Sequence, residues 1–296
     1  MSWEPGPFRT FSIYEGKKRL ISAVPYRDRV VHQAIMNILG PHLERSFIHD
    51  TYACRVGKGT EAARGRAQKF LRRYDYFLHL DVVKYFPSIP HAPLKRQLER
   101  FVGDPSLSEI LERIIDHTGE EMPDDLVDLA RRRGLPIGSL TSQWFANLFL
   151  SPLDHFVKER LSVPGYVRYM DDMVFFANSK ERLWECEQKV RRFAGERLEL
   201  DLHERPRLAP CGEGLSFLGM RLFTNRRRLL PPSGYRFRRR MRGALKALDQ
   251  GRTTRERVRC QTAGWLGHAG LADTVALRKK IFDELRQGRH PGARTA

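Results

Sequence analysis

The chain has 296 residues, 41% of them hydrophobic, and four cysteines, Cys54, Cys186, Cys211 and Cys260, spread far apart. That composition supports a substantial core divided among two or three lobes. It argues against a disulfide framework, a zinc site, a secretory leader and a membrane span, so a cytoplasmic protein with no membrane partner and with buried or half-buried thiols is expected. The formal charge is +18, and 22 of the 53 Lys and Arg lie after residue 204, against only 6 of the 35 Asp and Glu. A nearly neutral body with a cationic end suggests a clamp on a polyanion. A basic disordered tail is the plainer alternative, weakened by the apolar residues of Leu215–Leu222 and Trp265–Leu277.

In chain order, Phe8–Val24 alternates as two strands around a turn at Glu15–Gly16, with Lys17, Lys18 and Arg19 just past it. An amphipathic helix follows, with Val30, Val31, Ala34, Ile35 and Ile38 as its apolar face and Gly40–Pro41 as its end. Thr51–Thr60 is a glycine-bearing loop containing Arg55 and Lys58, and it leads into a basic helix to about Arg73. Tyr76–Leu80 reads as a strand ending at Asp81, and two helices fill most of Leu94–His117, joined and followed by connections at Asp104–Pro105 and Glu120–Asp125. The turn Gly134–Gly138 opens a long helix from Thr141 to about Leu161, with Thr141 or Ser142 as N-cap. The hairpin Tyr166–Phe176, a helix Glu181–Leu198, a strand near Leu200–Leu202 and a second hairpin in Leu215–Phe223 come next, and the remainder is basic and mainly helical. This order describes an α+β fold, an antiparallel sheet backed by helices.

The first hairpin carries the chemistry. Asp171 and Asp172 interrupt two apolar strands at its tip, and Asp81 ends a similar run. If the strands are neighbours, Asp81 and Asp171 face each other, and carboxylates held that close either take up a proton or share a hard cation. A two-metal phosphoryl-transfer site is one reading. Asp at a hairpin tip also serves ordinary turn chemistry, which explains the pair alone equally well.

The surrounding motifs separate the two. Tyr169–Met170–Asp171–Asp172 resembles the Tyr-x-Asp-Asp signature of reverse transcriptases, and His79–Phe86 resembles the first palm motif of that family. Leu135–Gln143 is similar to its glycine-turn motif, Phe217–Leu218–Gly219 to its primer grip, and Lys18–Ile21 with Pro25 to its first finger motif. Trp265–Ala269 with Leu277–Arg278 resembles a thumb segment. All the blocks occur in family order.

The resemblance implies a right-hand polymerase, with fingers at 1–76, a palm at 77–222 containing a helical insertion at 90–134, and a helical basic thumb at 223–296. It implies that Asp81, Asp171 and Asp172 are catalytic and hold two Mg²⁺ ions, with Mn²⁺ as a possible substitute. Asp172 is the weaker ligand, because adjacent strand residues point to opposite faces. Lys18, Arg19, Val82, Phe86, Ile137 and Gly138 are expected around the dNTP, Phe86 excluding a 2′-hydroxyl. Arg55, Lys58, Gln143, Tyr169, Met170, Phe217, Leu218 and Gly219 are expected along template and primer. Where the family's fourth palm motif supplies a lysine, this chain reads His203–Arg207, and arginine is a poor general acid.

Ile137 and Gln143 stand where most of the family has Gln and Pro. This form resembles the enzymes of diversity-generating retroelements, as do Ala53–Gly59 and Leu153–Phe156. That subtype copies a template RNA into cDNA with errors at template adenines and works with a small basic accessory protein. Other bacterial reverse transcriptases (retron, defence-associated or group II intron-like) and a non-catalytic RNA-binding relative are the alternatives.

Overall fold

The computed structural model describes residues 3–14, 18–117 and 132–287, Lys18 and Gln287 without their side chains. The expected turn at Glu15–Gly16, Lys17 and the Glu120–Asp125 connection lie outside these residues. The chain divides into two compact units, residues 1–70 with 74–209, and 71–73 with 210–296.

The first unit is built on a four-stranded sheet of β3 (Tyr76–Leu80), β4 (Gly165–Tyr169), β5 (Asp172–Ala177) and β6 (Arg207–Pro210), in the order β4-β5-β3-β6. β3 and β4 both pair antiparallel to β5, with His79 opposite Val174 and Tyr169 opposite Asp172. Because side chains alternate across a strand, Leu78, Leu80, Met173 and Phe175 share one face. That face packs into the main core with Leu183, Cys186 and Val190 of helix α8 (Lys180–Leu198). The other face carries Phe77, Val174 and Phe176, all buried, and then His79, Asp172 and Asp81 towards one end. Polar groups therefore gather where the covered part of that face stops.

A separate two-stranded hairpin pairs β1 (Arg9–Tyr14) with β2 (Lys18–Ala23). Helix α1 runs Tyr26–Ser46 and carries Pro41 inside it, so Gly40–Pro41 does not end it. Burial of Leu39 and Leu43 on either side of the proline holds the helix together, and Trp144 packs over Gly40 at an ordinary contact distance. The buried stripe is His32, Ile35, Met36, Leu39 and Leu43 with Asp28, while Val30, Ala34 and Ile38 face outward. The helical period was legible and its phase was not, because Asp28 and His32 sit inside with their hydrogen bonds satisfied. Asp28 accepts from the Gly6 amide and the Trp3 indole, and its carboxyl lies below the usual range: burial opposes this, but those bonds and Arg27 outweigh it.

α2 (Thr60–Arg73), α3 (Tyr85–Ser88), α4 (His91–Leu98) and α5 (Pro105–Asp116) follow. The expected long helix from Thr141 is two helices and a π turn: α6 (Leu140–Phe149), α7 (Ser151–His155), then Phe156–Arg160. The break at Leu150 precedes Pro152, which supplies no amide to an α ladder. Ser139 is the N-cap, and its hydroxyl bonds His32 and Thr141 rather than the helix amides. The expected strand near Leu200–Leu202 is a single bridge from Leu202 to Val82.

The second unit holds a three-stranded antiparallel sheet, β7 (Leu215–Phe217), β8 (Met220–Leu222) and β9 (Arg227–Leu229), one strand more than the expected hairpin. Helices α9 (Pro231–Asp249), α10 (Arg255–Gly270) and α11 (Val275–Gln287) complete it around Phe237, stacked on Trp265 at 3.9 Å, with Met241 and Ile281. Cys260 is exposed, against expectation, while Cys186 and Cys211 are buried. No helix among the described residues is long and apolar enough to cross a membrane.

Candidate active site

Pairing of Tyr169 with Asp172 leaves Met170 and Asp171 as a two-residue hairpin loop. Met170 has φ +57 and Asp171 has no positive φ, the sign pattern of a type II′ turn, whose first position ordinarily goes to glycine. On the neighbouring strand Leu80 pairs with Met173, so Asp81 emerges beside this tip. The Asp171 and Asp81 carboxyls meet in a hydrogen bond. Burial first, and then the charge of Asp81, push Asp171 up to about 7. Asp81 is raised as well, by the surrounding protein and then by Asp172, although its outer edge is open to solvent. Two acids thus share a space in which both cannot be comfortably ionised.

Asp172 adds its charge to that pair, raising Asp81 and Asp171, while its own hydrogen bond goes elsewhere. It sits diagonally across from His79, and its carboxylate is hydrogen-bonded to His79 Nε2. The sequence showed His79 but gave no partner for it; the diagonal register is what joins them. Asp172 and Asp81 share the open face of the sheet, while Asp171 lies in the turn, where strand alternation does not apply. Among the described residues no group of three or more His, Cys, Asp or Glu is arranged to hold a metal ion. Two converging carboxylates with raised proton affinity nonetheless fit Mg²⁺, which binds through one or two carboxylates and takes its remaining oxygens from water and phosphate.

The backbone around Asp81 is fixed from behind. Its carbonyl accepts from the His203 amide at 3.0 Å, and the Val83 amide donates to the Asp201 carbonyl at 2.8 Å. Val82 is buried. Lys84 turns the chain with φ +46 into α3, where the buried Tyr85 hydroxyl bonds the Ala146 carbonyl and Phe86 is half-buried, edge-on to Tyr85. The Phe86 carbonyl accepts from Leu135 at 2.9 Å, and the Ile137 carbonyl accepts from Ser22 at 2.9 Å. Main-chain bonds therefore lace α3, the glycine turn and the β1–β2 hairpin into one wall.

Gly138 makes that lacing possible. Its φ is +121, and a Cβ there would lie 2.9 Å from Ile21 Cγ2 and 3.2 Å from the Ser22 carbonyl oxygen. Gly138→Ala is expected to cost about 1–3 kcal/mol from backbone strain alone. It should also loosen the hairpin, read as a lower Tm.

Arg19 is exposed on β2 opposite Ile13. Arg55 is not on an open surface: its side chain is 7% exposed, paired with Glu44 at 2.8 Å and donating to the Ile48 and Thr51 carbonyls. A template phosphate would have to displace these partners. Lys58 is less enclosed and donates to the His49 carbonyl. Gln143 is exposed and accepts from Cys54 Sγ at 3.3 Å, and Tyr169 is half-buried, its hydroxyl pushed upward by burial. Phe217, Leu218 and Gly219 belong to the second unit, where Leu218 (φ +47) and Gly219 (φ +81) form the β7–β8 loop with the signs of a type I′ turn.

The sequence reading missed a buried polar cluster behind the tip. Arg168 and Asp154 are fully buried and paired, with Asn147, Tyr166 and Thr51 around them. Burial opposes the charge on Arg168, yet the adjacent Asp154 carboxylate outweighs it and holds the guanidinium protonated. An Asp on a helix and an Arg on a strand, 14 residues apart, leave no local signal of pairing.

An antiparallel sheet presenting two meeting acids at a hairpin tip, walled by a finger-like hairpin, is the palm of a template-directed polymerase fold. The chain belongs to the family "Reverse transcriptase (RNA-dependent DNA polymerase)", whose profile matches residues 9–205. It is similar to the Putative COX1/OXI3 intron 1 protein of Saccharomyces cerevisiae, at 21% identity over half of this chain and 18% of that protein. It is 22% identical to Protein YkfC of Escherichia coli, over 76% of this chain and 69% of the other. Its fold resembles apo telomerase from Candida tropicalis truncated from its C-terminal domain (TM-score 0.57, 13% identity, 76% of this chain and 55% of the other). It also resembles that organism's telomerase in complex with the TWJ fragment of telomeric RNA (TM-score 0.57, 12% identity, 97% and 56%). The chain thus spans under a fifth of the intron protein and just over half of the telomerase chains.

Proposed function

We propose that this protein is an RNA-directed DNA polymerase that extends a primer on an RNA template by two-metal nucleotidyl transfer. The observation that carries the reading is the Asp81–Asp171 contact, with both carboxyls raised in proton affinity at the open end of the sheet. Asp81 and Asp171 would hold Mg²⁺, or Mn²⁺ in its place, with Asp172 adding charge from its bond to His79. Bound there, divalent ions supply activation of the primer 3′-hydroxyl and neutralisation of the triphosphate. Within the first unit, Phe86 limits space at the sugar, Arg19 and Lys18 receive the triphosphate, and the glycine turn with Ile137 lines the nascent pair. Val82, Gln143, Tyr169 and Met170 complete the surroundings of dNTP and template. Residues 1–76 act as fingers, 77–222 as palm and 223–296 as thumb, and the charge concentrated after residue 204 meets the nucleic-acid backbone.

Within the family, the diversity-generating type is the reading that Ile137, Gln143, Ala53–Gly59 and Leu153–Phe156 favour. It brings a small basic accessory protein and a cytoplasmic setting with it. The similarity to intron proteins favours a group II intron-like enzyme as the second reading. Incorporation of dNTPs on a primed RNA template with Mg²⁺, followed by sequencing of the product, tests both the activity and the subtype. Clustered errors at template adenines mark the first subtype, and faithful copying marks the second.

Ile137 offers contact where glutamine would offer a hydrogen bond, a difference on the order of 1–3 kcal/mol in discrimination. Ile137→Gln is therefore expected to reduce misincorporation opposite template adenine. An unchanged error spectrum would remove Ile137 from the account of fidelity.

A further inference from the structure

Arg168 lies two residues before the turn that bears Asp171, and nothing proposed so far uses it. All five of its N–H groups find acceptors. Nε reaches Asp154 Oδ1 at 2.7 Å, and Nη2 reaches Asp154 Oδ2 at 2.5 Å and the Asn147 carbonyl at 3.1 Å. Nη1 reaches Asn147 Oδ1 at 3.0 Å and the Met170 carbonyl at 2.8 Å. The anchors are themselves anchored. Asp154 also accepts from the Tyr166 hydroxyl at 2.8 Å and from Thr51 at 3.1 Å, while Asn147 Nδ2 donates to the Ala53 carbonyl at 3.0 Å.

A buried ion pair is weak evidence for stability, since apolar residues of similar volume often serve as well or better. The direction of the bonds is more informative. Four of the five hold the guanidinium to helices α6 and α7, and the fifth holds the carbonyl of the Met170–Asp171 peptide. Met170 sits at φ +57, a conformation a residue with a Cβ keeps only when its surroundings enforce it. Rotation of that peptide would turn the start of Asp171 away from Asp81.

We propose that Arg168 is a positioning residue for Asp171: held by Asp154 and Asn147, its fork fixes the Met170 carbonyl, and so the turn that presents the Asp171 carboxylate to Asp81. The inference rests on the assignment of Asp171 to the reaction. Lysine carries three donors on one atom and cannot span both anchors and the turn carbonyl in the same geometry. Glycine at 170 would adopt the positive φ without help, so the turn would then need no clamp.

The test measures single-nucleotide incorporation on a primed RNA template for the wild type, Arg168→Lys, Met170→Gly and the double variant, with RNA affinity measured separately. Arg168→Lys is expected to lower kcat by roughly 10- to 100-fold, with RNA Kd and dNTP KM within about threefold of wild type. In the Met170→Gly background the same substitution should lower kcat by less than about threefold. Equal losses in the two backgrounds, no loss at all, or a loss explained by weaker RNA binding would overturn the proposal. Should Arg168→Lys fail to fold, Arg168→Met with Asp154→Leu, Tyr166→Phe and Thr51→Val removes the cluster without stranding a charge, and the same pair of outcomes applies. Asp171→Asn run alongside separates the premises: if it still polymerises, the assignment of Asp171 has failed, whatever Arg168 does.

Discussion

Asp171→Asn is expected to lower nucleotide incorporation by about 10²- to 10³-fold, the scale of losing a preorganised electrostatic group at the reacting centre. RNA affinity should stay level or rise, because a charge that repels phosphate is removed. The same substitution has a second consequence in metal-free protein. The wild-type carboxyl titrates at about 7 in the folded chain, against roughly 3.9 when unfolded. Between those values the folded state binds more protons than the unfolded one, so stability falls as pH rises through that window and stays low above it. Asparagine cannot ionise and lacks the decline. In chelator at pH 8 the variant should therefore melt above the wild type, and below about pH 4 the two should coincide. Added Mg²⁺ should raise the wild-type Tm at pH 8 and leave the variant's nearly unmoved. Coincident melting curves for the two proteins across this pH range would mean that the acids are not in the strained contact described here.

Asp154→Ala is expected to destabilise the first unit by about 3–5 kcal/mol, because it leaves the Arg168 charge buried without a counter-ion. The Tyr166 and Thr51 hydroxyls lose their acceptor in the same step. Urea unfolding monitored by circular dichroism would read the loss. The exposed pair Arg113–Glu109 supplies the contrast, since breaking it should change stability by less than about 1 kcal/mol. A similarly small effect for Asp154 would show that water or a neighbour compensates the guanidinium.

What could be read from the chain follows the range of the interactions. The Tyr166–Phe176 hairpin and the strand before Asp81 were legible because their apolar runs are local and their turn is short. Helix α1 was legible in period and not in phase: the buried Asp28 and His32 owe their places to Gly6, Trp3 and Ser139, which no window around the helix contains. The acids were found from their motif. The engagement of Asp172 by His79, the enclosure of Arg55 and the Arg168–Asp154 cluster depend on tertiary register, which pattern does not encode.

The bond between the Ser22 amide and the Ile137 carbonyl has a consequence for how this enzyme can change. Docking of the hairpin onto the glycine turn uses the main chain of residue 137, a bond that any residue at this position can make. Gly138 is held by shape and Ile137 is not. If Ile137 lines the nascent pair as proposed, mutation there can change copying accuracy while this main-chain bond stays in place, so accuracy and structural integrity are free to evolve separately.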